Sequence, residues 1–444
     1  MRSRSPLPDT TQDTIPMTST PLFGGIGRAL SHRQFFLLWW GHGTITTGRW
    51  MYKVAIGWLT WELTQSTVWL GIVAFADTFP LVIMSIVAGV WADRVGYLFI
   101  MRVGQTVMVL AGFLITVLAF TDALEIISIV LVTLVIGTSE ATTQPARISI
   151  VHQLVPKEDL AAAIAVNSAT YNFARFLGPT IAGGLIIWVS IPFVIAFSAG
   201  TFAIFYGVLF FLNTPELKNE KAKTTGMVRD LIDGFQYSFS HPGISFLLIS
   251  LSVTALFIRP YIDLLPGVSA QIFDLGAEGL SILLAATGLG AMLGAIWLAQ
   301  RGRTDGLTNI FTWSLLISAI SILLFIISGN IWVGAVLIAI VGFFIVLGAI
   351  TSQTLIQSAV DSSIRARVIS ITMVLAWGLP AVGALGMGWI AEFLGLPFTL
   401  ALGGALTVLL WLWAHRTGKQ LAPILEGSLD PEADARRALN GKSV

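Results

Sequence analysis

Apolar residues along this chain fall into twelve long runs rather than into short amphipathic or alternating segments. A hydrocarbon layer about 30 Å thick requires about 20 apolar residues to cross it as a helix, and each run is roughly of that length. The runs cover residues 35–62, 68–90, 98–120, 125–148, 162–189, 192–212, 244–268, 278–300, 308–328, 332–356, 367–392 and 398–415. The pattern predicts an all-α integral membrane protein with twelve transmembrane helices.

Lys and Arg residues are distributed unevenly between the two sets of connecting loops. With the N-terminus on the cytoplasmic side, the loops on that side contain cations such as Arg94, Arg147, Lys218 and Arg301. The six opposite loops contain no Lys or Arg. Positively charged loops stay in the cytoplasm, so both termini are predicted to be cytoplasmic.

Intramembrane residues of the same type recur at a nearly fixed distance. Arg49 and Arg259 are 210 residues apart, and Pro179 and Pro380 are 201 residues apart. A period near 205 residues predicts two related six-helix bundles with a binding site between them near the bilayer midplane. The predicted domains are a disordered cytoplasmic tail at 1–30, a bundle at 31–212, a cytoplasmic linker with an amphipathic helix at 213–242, a second bundle at 243–418 and a cytoplasmic tail at 419–444.

Composition agrees with a membrane-embedded chain. Of the 444 residues, 55% are hydrophobic and only 11% are charged, against about 25% charged residues in soluble domains. The formal net charge of +1 gives no indication of a nucleic-acid partner. Cysteine is absent, which excludes disulfides and thiolate metal sites.

The loop between the second and third runs carries a charged, glycine-containing motif, Gly89-Val-Trp-Ala-Asp93-Arg94-Val-Gly96. Glycine permits a tight turn and close helix contact, and the acid and the arginine can form ion pairs that lock one side of the protein. The motif resembles the signature loop of the major facilitator superfamily. The resemblance implies a gating role for Gly89, Asp93, Arg94 and Gly96.

The fifth run contains Arg175-Phe-Leu-Gly178-Pro179-Thr-Ile-Ala-Gly183-Gly184. Glycines along one helix face let helices approach closely, and proline bends a helix. The stretch is similar to the antiporter motif of exporters in the same superfamily, which would make Gly178, Pro179, Gly183 and Gly184 a helix-packing motif. Ordinary transmembrane packing is the alternative interpretation.

Further stretches are similar to the enterobactin-exporter-like branch of the superfamily, which exports siderophores and drugs. They include Gln144-Pro145-Ala146-Arg147, Leu154-Val155-Pro156 and Arg365-Ala-Arg367-Val368. The likeness runs from about residue 31 to residue 415. It implies the major facilitator fold of two pseudo-symmetric six-helix bundles.

Seven ionisable residues are predicted at mid-depth in the membrane, where each costs about 2.5–3.5 kcal/mol on insertion scales unless it is paired or hydrated. They are Arg49, Lys53, Asp77, Glu140, Arg175, Arg259 and Asp263. Depth and helical spacing predict the pairs Lys53 with Asp77, Glu140 with Arg175 and Arg259 with Asp263, which leaves Arg49 over. The resulting positive interior favours an anionic, carboxylate- or catecholate-bearing substrate.

These residues divide into two predicted roles. The candidate substrate-binding residues are Arg49, Lys53, Arg259, Asp263, Trp50 and Trp377. The candidate proton-coupling residues are Asp77, Glu140 and Arg175, because burial and a neighbouring cation shift the proton affinity of a carboxylate in opposite directions. The alternative is that the ion pairs only hold helices together.

The leading hypothesis is a secondary active transporter that exports a small siderophore-like or drug-like molecule by alternating access, driven by protons. The alternatives are an uptake symporter and, in a different class, a non-transporting membrane sensor or scaffold. An enzyme is not expected, because HExxH and paired-Cys sites are absent and Gly441-Lys442-Ser443 lacks the upstream glycine of a phosphate-binding loop. No cofactor or metal is predicted. The expected partners are the substrate, a proton or other ion gradient and the lipid bilayer of the bacterial cytoplasmic (inner) membrane, and the protein is expected to be a monomer.

Overall fold

The computed structural model describes residues 24–213, 227–301, 305–360 and 364–427, and this part of the chain consists of helices and short connections. The helices are α1 (Gly24–Ser31), α2 (Arg33–Thr64), α3 (Thr67–Val95), α4 (Tyr97–Phe120), α5 (Ile126–Leu154), α6 (Lys157–Trp188), α7 (Ile191–Phe211), α8 (Met227–Ser240), α9 (Pro242–Phe257), α10 (Tyr261–Gln271), α11 (Ala277–Arg301), α12 (Leu307–Ile326), α13 (Ile331–Ala359), α14 (Arg365–Leu394) and α15 (Leu396–Gly427).

The helices follow the predicted runs closely. Helices α2 to α7 match the first six runs, α9 and α10 together match the seventh, and α11 to α15 match the last five. Ten segments of the described chain are long and apolar enough to cross a membrane. The remaining two, α2 and α6, have 32 residues each and carry the cations Arg49, Lys53 and Arg175. The predicted all-α fold of two six-helix halves is confirmed, and we call α1–α7 the N-half and α9–α15 the C-half.

The seventh span is broken at its centre. Helix α9 ends at Phe257 and α10 begins at Tyr261. Pro260 lies between them, and its ring lacks an N–H and clashes with the carbonyl four residues earlier. Just before it, Arg259 N bonds to the Thr254 carbonyl five residues back, so the regular helical hydrogen bonding is interrupted here. Non-helical backbone at membrane depth is tolerated where it is buried in protein or lines a cavity. The break places Arg259 in such a position.

The two halves contact each other closely at one end of the membrane region. At the start of α3, Thr67 Oγ1 donates to the Gly388 carbonyl of α14 at 2.8 Å, and Thr67 N donates to the Glu392 carboxylate at 2.9 Å. A Cβ on Gly71 would lie 2.6 Å from the Ala384 carbonyl oxygen, so the two backbones touch. This region, which we call the sealed end, lies opposite the end at which the chain enters α2.

The linker between the halves contains the predicted amphipathic helix. Helix α8 spans Met227–Ser240, and Gly234 lies against α14, where a Cβ would be 3.0 Å from Ile371 Cδ1. Residues 214–226 of the linker lie outside the described residues.

Residues 24–30, which the sequence assigns to a disordered tail, form most of helix α1 and correct that boundary. Arg28 Nε donates to Asp159 Oδ1 at 3.1 Å, and His32 Nε2 lies 3.0 Å from Asp159 Oδ2. Ala29 is fully buried. So short a helix is not stable alone, and the contacts with α6 hold it in place. Residues 1–23 lie outside the described residues.

The second predicted tail is corrected in the same way, because α15 continues past residue 418 to Gly427. The Glu426 carboxylate accepts hydrogen bonds from Gly306 N and Thr308 N, both at 2.8 Å. These are backbone donors at the start of α12, which has no intrahelical acceptor for them. Leu425 is fully buried beside them. Residues 419–427 therefore belong to the C-half, and residues 428–444 lie outside the described residues.

Candidate functional site

Two acids of the N-half, Asp77 and Glu140, pair with arginines of the same half. Arg49 Nη2 donates to Asp77 Oδ1 at 2.7 Å, which joins α2 to α3. Arg147 Nη2 donates to Glu140 Oε1 within α5. Arg147 was absent from the predicted site, although it follows Glu140 by seven residues and so lies two turns along the same helix face. The acids Asp77 and Glu140 are thus each neutralised within the N-half.

An ion pair across the interface joins Lys53 of α2 to Asp263 of α10, and it is the only pair between the halves in the described part of the chain. Lys53 Nζ lies 2.7 Å from Asp263 Oδ1, and the side chains are 30% and 13% exposed. The two residues are 210 positions apart, as are Arg49 and Arg259, so the repeat makes them equivalent. The predicted pairs of Lys53 with Asp77 and of Arg259 with Asp263 are wrong.

Arg175, expected to pair with Glu140, instead stacks on an indole ring. Its Cζ lies 5.4 Å from the ring centroid of Trp50, and Lys53 Nζ lies 5.8 Å from the same centroid. Arg175 Nε is buried and has no hydrogen-bond partner among the described residues. Tyr171 precedes Arg175 by one turn of α6 and is 37% exposed. Trp50 therefore contacts two cations at once.

Arg259 lies in the break between α9 and α10. Its Nη1 donates to the Ala376 carbonyl of α14 at 2.7 Å, and its Cζ lies 5.9 Å from the ring centroid of Trp377. A cation at the C-terminal end of α9 also interacts favourably with the last helix carbonyls. Arg175 and Tyr171 are both within electrostatic range of Arg259. In the described part of the chain, neither arginine is bound to a carboxylate.

A cavity lies between the halves beside the ion pair that joins them. It contains about 490 Å³ of empty space, part of it open to solvent. The lining residues come from both halves. They are Tyr52, Lys53, Ile56, Gly57, Leu70, Val73, Ala74, Asp77, Thr133, Ile262, Asp263, Pro266, Leu280 and Leu284.

The predicted helix-packing motif on α6 serves two contacts. A Cβ on Gly178 would lie 2.5 Å from Trp50 Cβ, so this glycine packs against α2 of the same half. A Cβ on Gly183 would lie 2.7 Å from Ser281 Cβ of α11, across the interface, whereas a Cβ on Gly184 would meet no atom within 4 Å. Pro179 is buried beside Gly178.

The predicted gating motif lies at the end of α3. Helix α3 ends at Val95, and Gly96 follows with φ of +93°, a backbone conformation that favours glycine. The surroundings of the side chains at Gly89, Asp93 and Arg94 lie outside the described part of the structure.

Comparison with known proteins places this fold and cleft among transporters. The staphyloferrin A transporter of Staphylococcus aureus is 24% identical over 387 residues, which are 86% of this chain and 95% of that protein. The multidrug efflux pump Tap of Mycolicibacterium fortuitum is 24% identical over 379 residues, 80% of this chain and 88% of that protein.

A solved structure shares the fold. The inward-facing, unoccupied structure of a bacterial homologue of the human lysosomal transporter Spinster has a TM-score of 0.65 at 14% identity and covers 89% of this chain and 97% of its own. The family model described as transmembrane secretion effector matches residues 28–431. This chain therefore belongs to the transmembrane secretion effector family of the major facilitator superfamily and is a multi-pass membrane transporter, not an enzyme.

Proposed function

We propose that this protein is a proton-driven exporter of a small anionic or aromatic molecule, siderophore-like or drug-like, and that it works by alternating access. It acts as a monomer in the bacterial cytoplasmic membrane with both termini in the cytoplasm. The observation that carries the proposal is the charged cleft between two halves that are in tight contact at the sealed end. Its similarity to the multidrug efflux pump Tap supports export.

The distribution of charged loops indicates on which side of the membrane the sealed end lies. With Arg- and Lys-containing loops in the cytoplasm, the contacts of Thr67 with Gly388 and Glu392 close the outer side. The arrangement is then the inward-facing state, which would take up cargo from the cytoplasm. Rocking of the halves about the cleft would separate these contacts and release the cargo outside.

Asp77 and Glu140 are the proposed proton carriers. Each is bonded to an arginine of the same half, and both Glu140 Oε2 and Arg49 Nη1 are buried without a hydrogen-bond partner in the described chain. Protonation of Asp77 would remove the charge that holds Arg49. The freed arginine and the new hydroxyl would then favour another arrangement of α2 and α3. Arg175, which the sequence grouped with these acids, is assigned to the cargo instead.

The test uses everted membrane vesicles in which respiration acidifies the interior and a pH-sensitive dye reports the gradient. The trial cargoes represent three chemical classes: isophthalate is an aromatic dicarboxylate, 2,3-dihydroxybenzoate is a catechol carboxylate, and ethidium is a drug-like aromatic cation. A proton-driven exporter dissipates the gradient when its cargo is added, because protons leave the vesicle as cargo enters it. Uptake by proton symport would instead require cargo loaded inside the vesicle.

Two variants locate the proton carrier. Asp77→Asn should abolish gradient dissipation while the variant still inserts in the membrane, and Asp122→Asn in a loop serves as the matched control. Full proton-driven export by Asp77→Asn would exclude Asp77 as an essential carrier. Unchanged gradients with all three cargoes and the parent protein would count against proton-driven export of these classes.

A further inference from the structure

Three cationic side chains from the two halves, Lys53, Arg175 and Arg259, lie near one another beside the interface. Lys53 and Arg175 both lie over the Trp50 ring, and Arg175 is within electrostatic range of Arg259. Asp263 is the single carboxylate bonded to any of the three in the described chain. Tyr171 is within electrostatic range of both Lys53 and Arg259. Asp263 is also within electrostatic range of Arg259, but its hydrogen bond goes to Lys53, so neither arginine is bonded to a carboxylate in the described chain.

The two arginines come from different halves. Arg175 projects from α6 of the N-half and stacks on Trp50, while Arg259 projects from the α9–α10 break of the C-half near Trp377. A guanidinium has five N–H donors in one plane, and stacking on an indole leaves that plane available for hydrogen bonds. Arg259 uses one donor nitrogen on a backbone carbonyl.

Uncompensated charge inside a membrane protein marks a functional site, because burying it is unfavourable unless a partner arrives. A carboxylate or similar oxyanion accepts two parallel hydrogen bonds from one guanidinium. One acidic group can form this pair of parallel hydrogen bonds with only one guanidinium at a time. Two arginines from different halves that lie within electrostatic range of each other are therefore suited to two acidic groups.

We propose that the cleft binds a substrate with two separate acidic groups, one held by Arg175 and the other by Arg259, so that a single molecule bridges the two halves. This inference rests on the proposed function and narrows its substrate to dianions. Trp50 and Trp377 provide aromatic surfaces beside each acidic group. A bridging dianion couples the position of one half to the other, which a monoanion bound to one wall does not.

The test measures binding to the purified full-length protein in lipid nanodiscs by calorimetry. The probes are linear dicarboxylates from succinate to azelate, each matched with the monocarboxylate of equal chain length, and isophthalate matched with benzoate and isophthalamide. At least one dicarboxylate should bind about tenfold or more tightly than its monocarboxylate, and isophthalamide should bind more weakly than isophthalate. Equal affinity across every matched pair would overturn the proposal.

Variants of the two arginines then test whether each one holds an acidic group of the substrate. Arg175→Gln and Arg259→Gln should each reduce the best dicarboxylate to about the affinity of its monocarboxylate. Arg102→Gln, which removes an equal charge from α4 and a bond to the Leu209 carbonyl, should bind like the parent. Retained dicarboxylate preference in both cleft variants would contradict the assignment. If the Gln variants do not fold, Arg175→Lys and Arg259→Lys keep the charge and should still weaken the preference.

The binding result and the transport result can fail separately. Dicarboxylate preference without proton-coupled movement would support the two-arginine site and contradict the proposed export function. Proton-driven movement of ethidium without any dicarboxylate preference would support the export function and contradict the two-arginine site.

Discussion

Breaking the ion pair between Lys53 and Asp263 should shift the protein away from the state with the sealed end closed. The pair joins the two halves over 2.7 Å, and its side chains are 30% and 13% exposed. Two unit charges about 4 Å apart attract by about 4 kcal/mol at an effective dielectric constant of about 20. Desolvation and side-chain entropy oppose this attraction, so a net contribution of about 2 kcal/mol is expected. That free energy changes the ratio of the two states about 30-fold.

The absence of cysteine from the sequence makes the assay direct, because an introduced cysteine pair carries the only labels. Glu62→Cys at the end of α2 and Leu394→Cys at the end of α14 place one spin label on each half at the sealed end. Pulsed electron paramagnetic resonance then gives the distribution of distances between the labels. Lys53→Met and Asp263→Asn should both increase the population at long distance.

Two further variants separate the effect of this pair from a general loss of charge. Asp159→Asn breaks an ion pair inside the N-half and should leave the distance distribution near that of the parent. The exchange Lys53→Asp with Asp263→Lys should restore the short distance. If the single variants keep the parental distribution, the pair does not hold the sealed end closed and the reasoning is refuted.

Three other predictions test local contacts. Asp159 lies ahead of the predicted membrane-spanning stretch, and hydrogen bonds from His32 and Arg28 lower its pKa. The stabilisation of α1 by the ionised Asp159 carboxylate is therefore complete above its unfolded-state pKa of about 3.9. It is lost as the pH falls through the lower pKa of the folded state. Hydrogen exchange of α1 should rise in that acid range, and in Asp159→Asn it should already be fast at pH 7. Glu426→Ala should destabilise the protein by about 1 kcal/mol through loss of the α12 cap, measured by thermal unfolding against the exposed control Gln420→Ala. Gly183→Val should force α6 away from α11, lowering transport and lengthening the label distance, whereas Gly184→Val should act like the parent.

The sequence predicted the fold well because membrane spans depend on one local property. A helix must present about 20 apolar residues to the hydrocarbon, and every run of that kind became a helix or, in the seventh span, two. The break in that span was missed although Pro260 follows Arg259 directly. Proline is tolerated in many transmembrane helices, as at Pro179, so its presence alone did not distinguish a kink from a break.

The partners of the buried charges were predicted poorly, because distance from a loop gives depth but not direction around the helix. Arg49 and Lys53 are one turn apart on α2, and depth alone assigned Asp77 to the second of them. In the structure, Asp77 is bonded to Arg49, and Lys53 extends across the interface to Asp263. The packing of all the helices decides which face of α2 meets α3 and which meets α10. The spacing of residues within one helix does not carry this information.

The predicted boundaries of the two tails were wrong for a related reason. The segments around Arg28 and Glu426 are polar and would be soluble alone, so composition indicated tails. Each is held by a few specific contacts with a residue more than 100 positions away, Asp159 in the first case and Thr308 in the second. Such contacts leave no periodic signal in the sequence.

The internal repeat explains why the positive charge remains in the cleft. The repeat equates Arg49 with Arg259, and Arg49 finds its counter-charge in Asp77 of α3. The corresponding stretch of α11, residues 282–287, reads Ile-Leu-Leu-Ala-Ala-Thr and contains no acid. Arg259 therefore keeps the position of its counterpart without the partner, and it bonds to a backbone carbonyl instead. The repeat thus gives Arg49 a carboxylate bonded within its own half and leaves Arg259 available for the acidic group that we propose for the cargo.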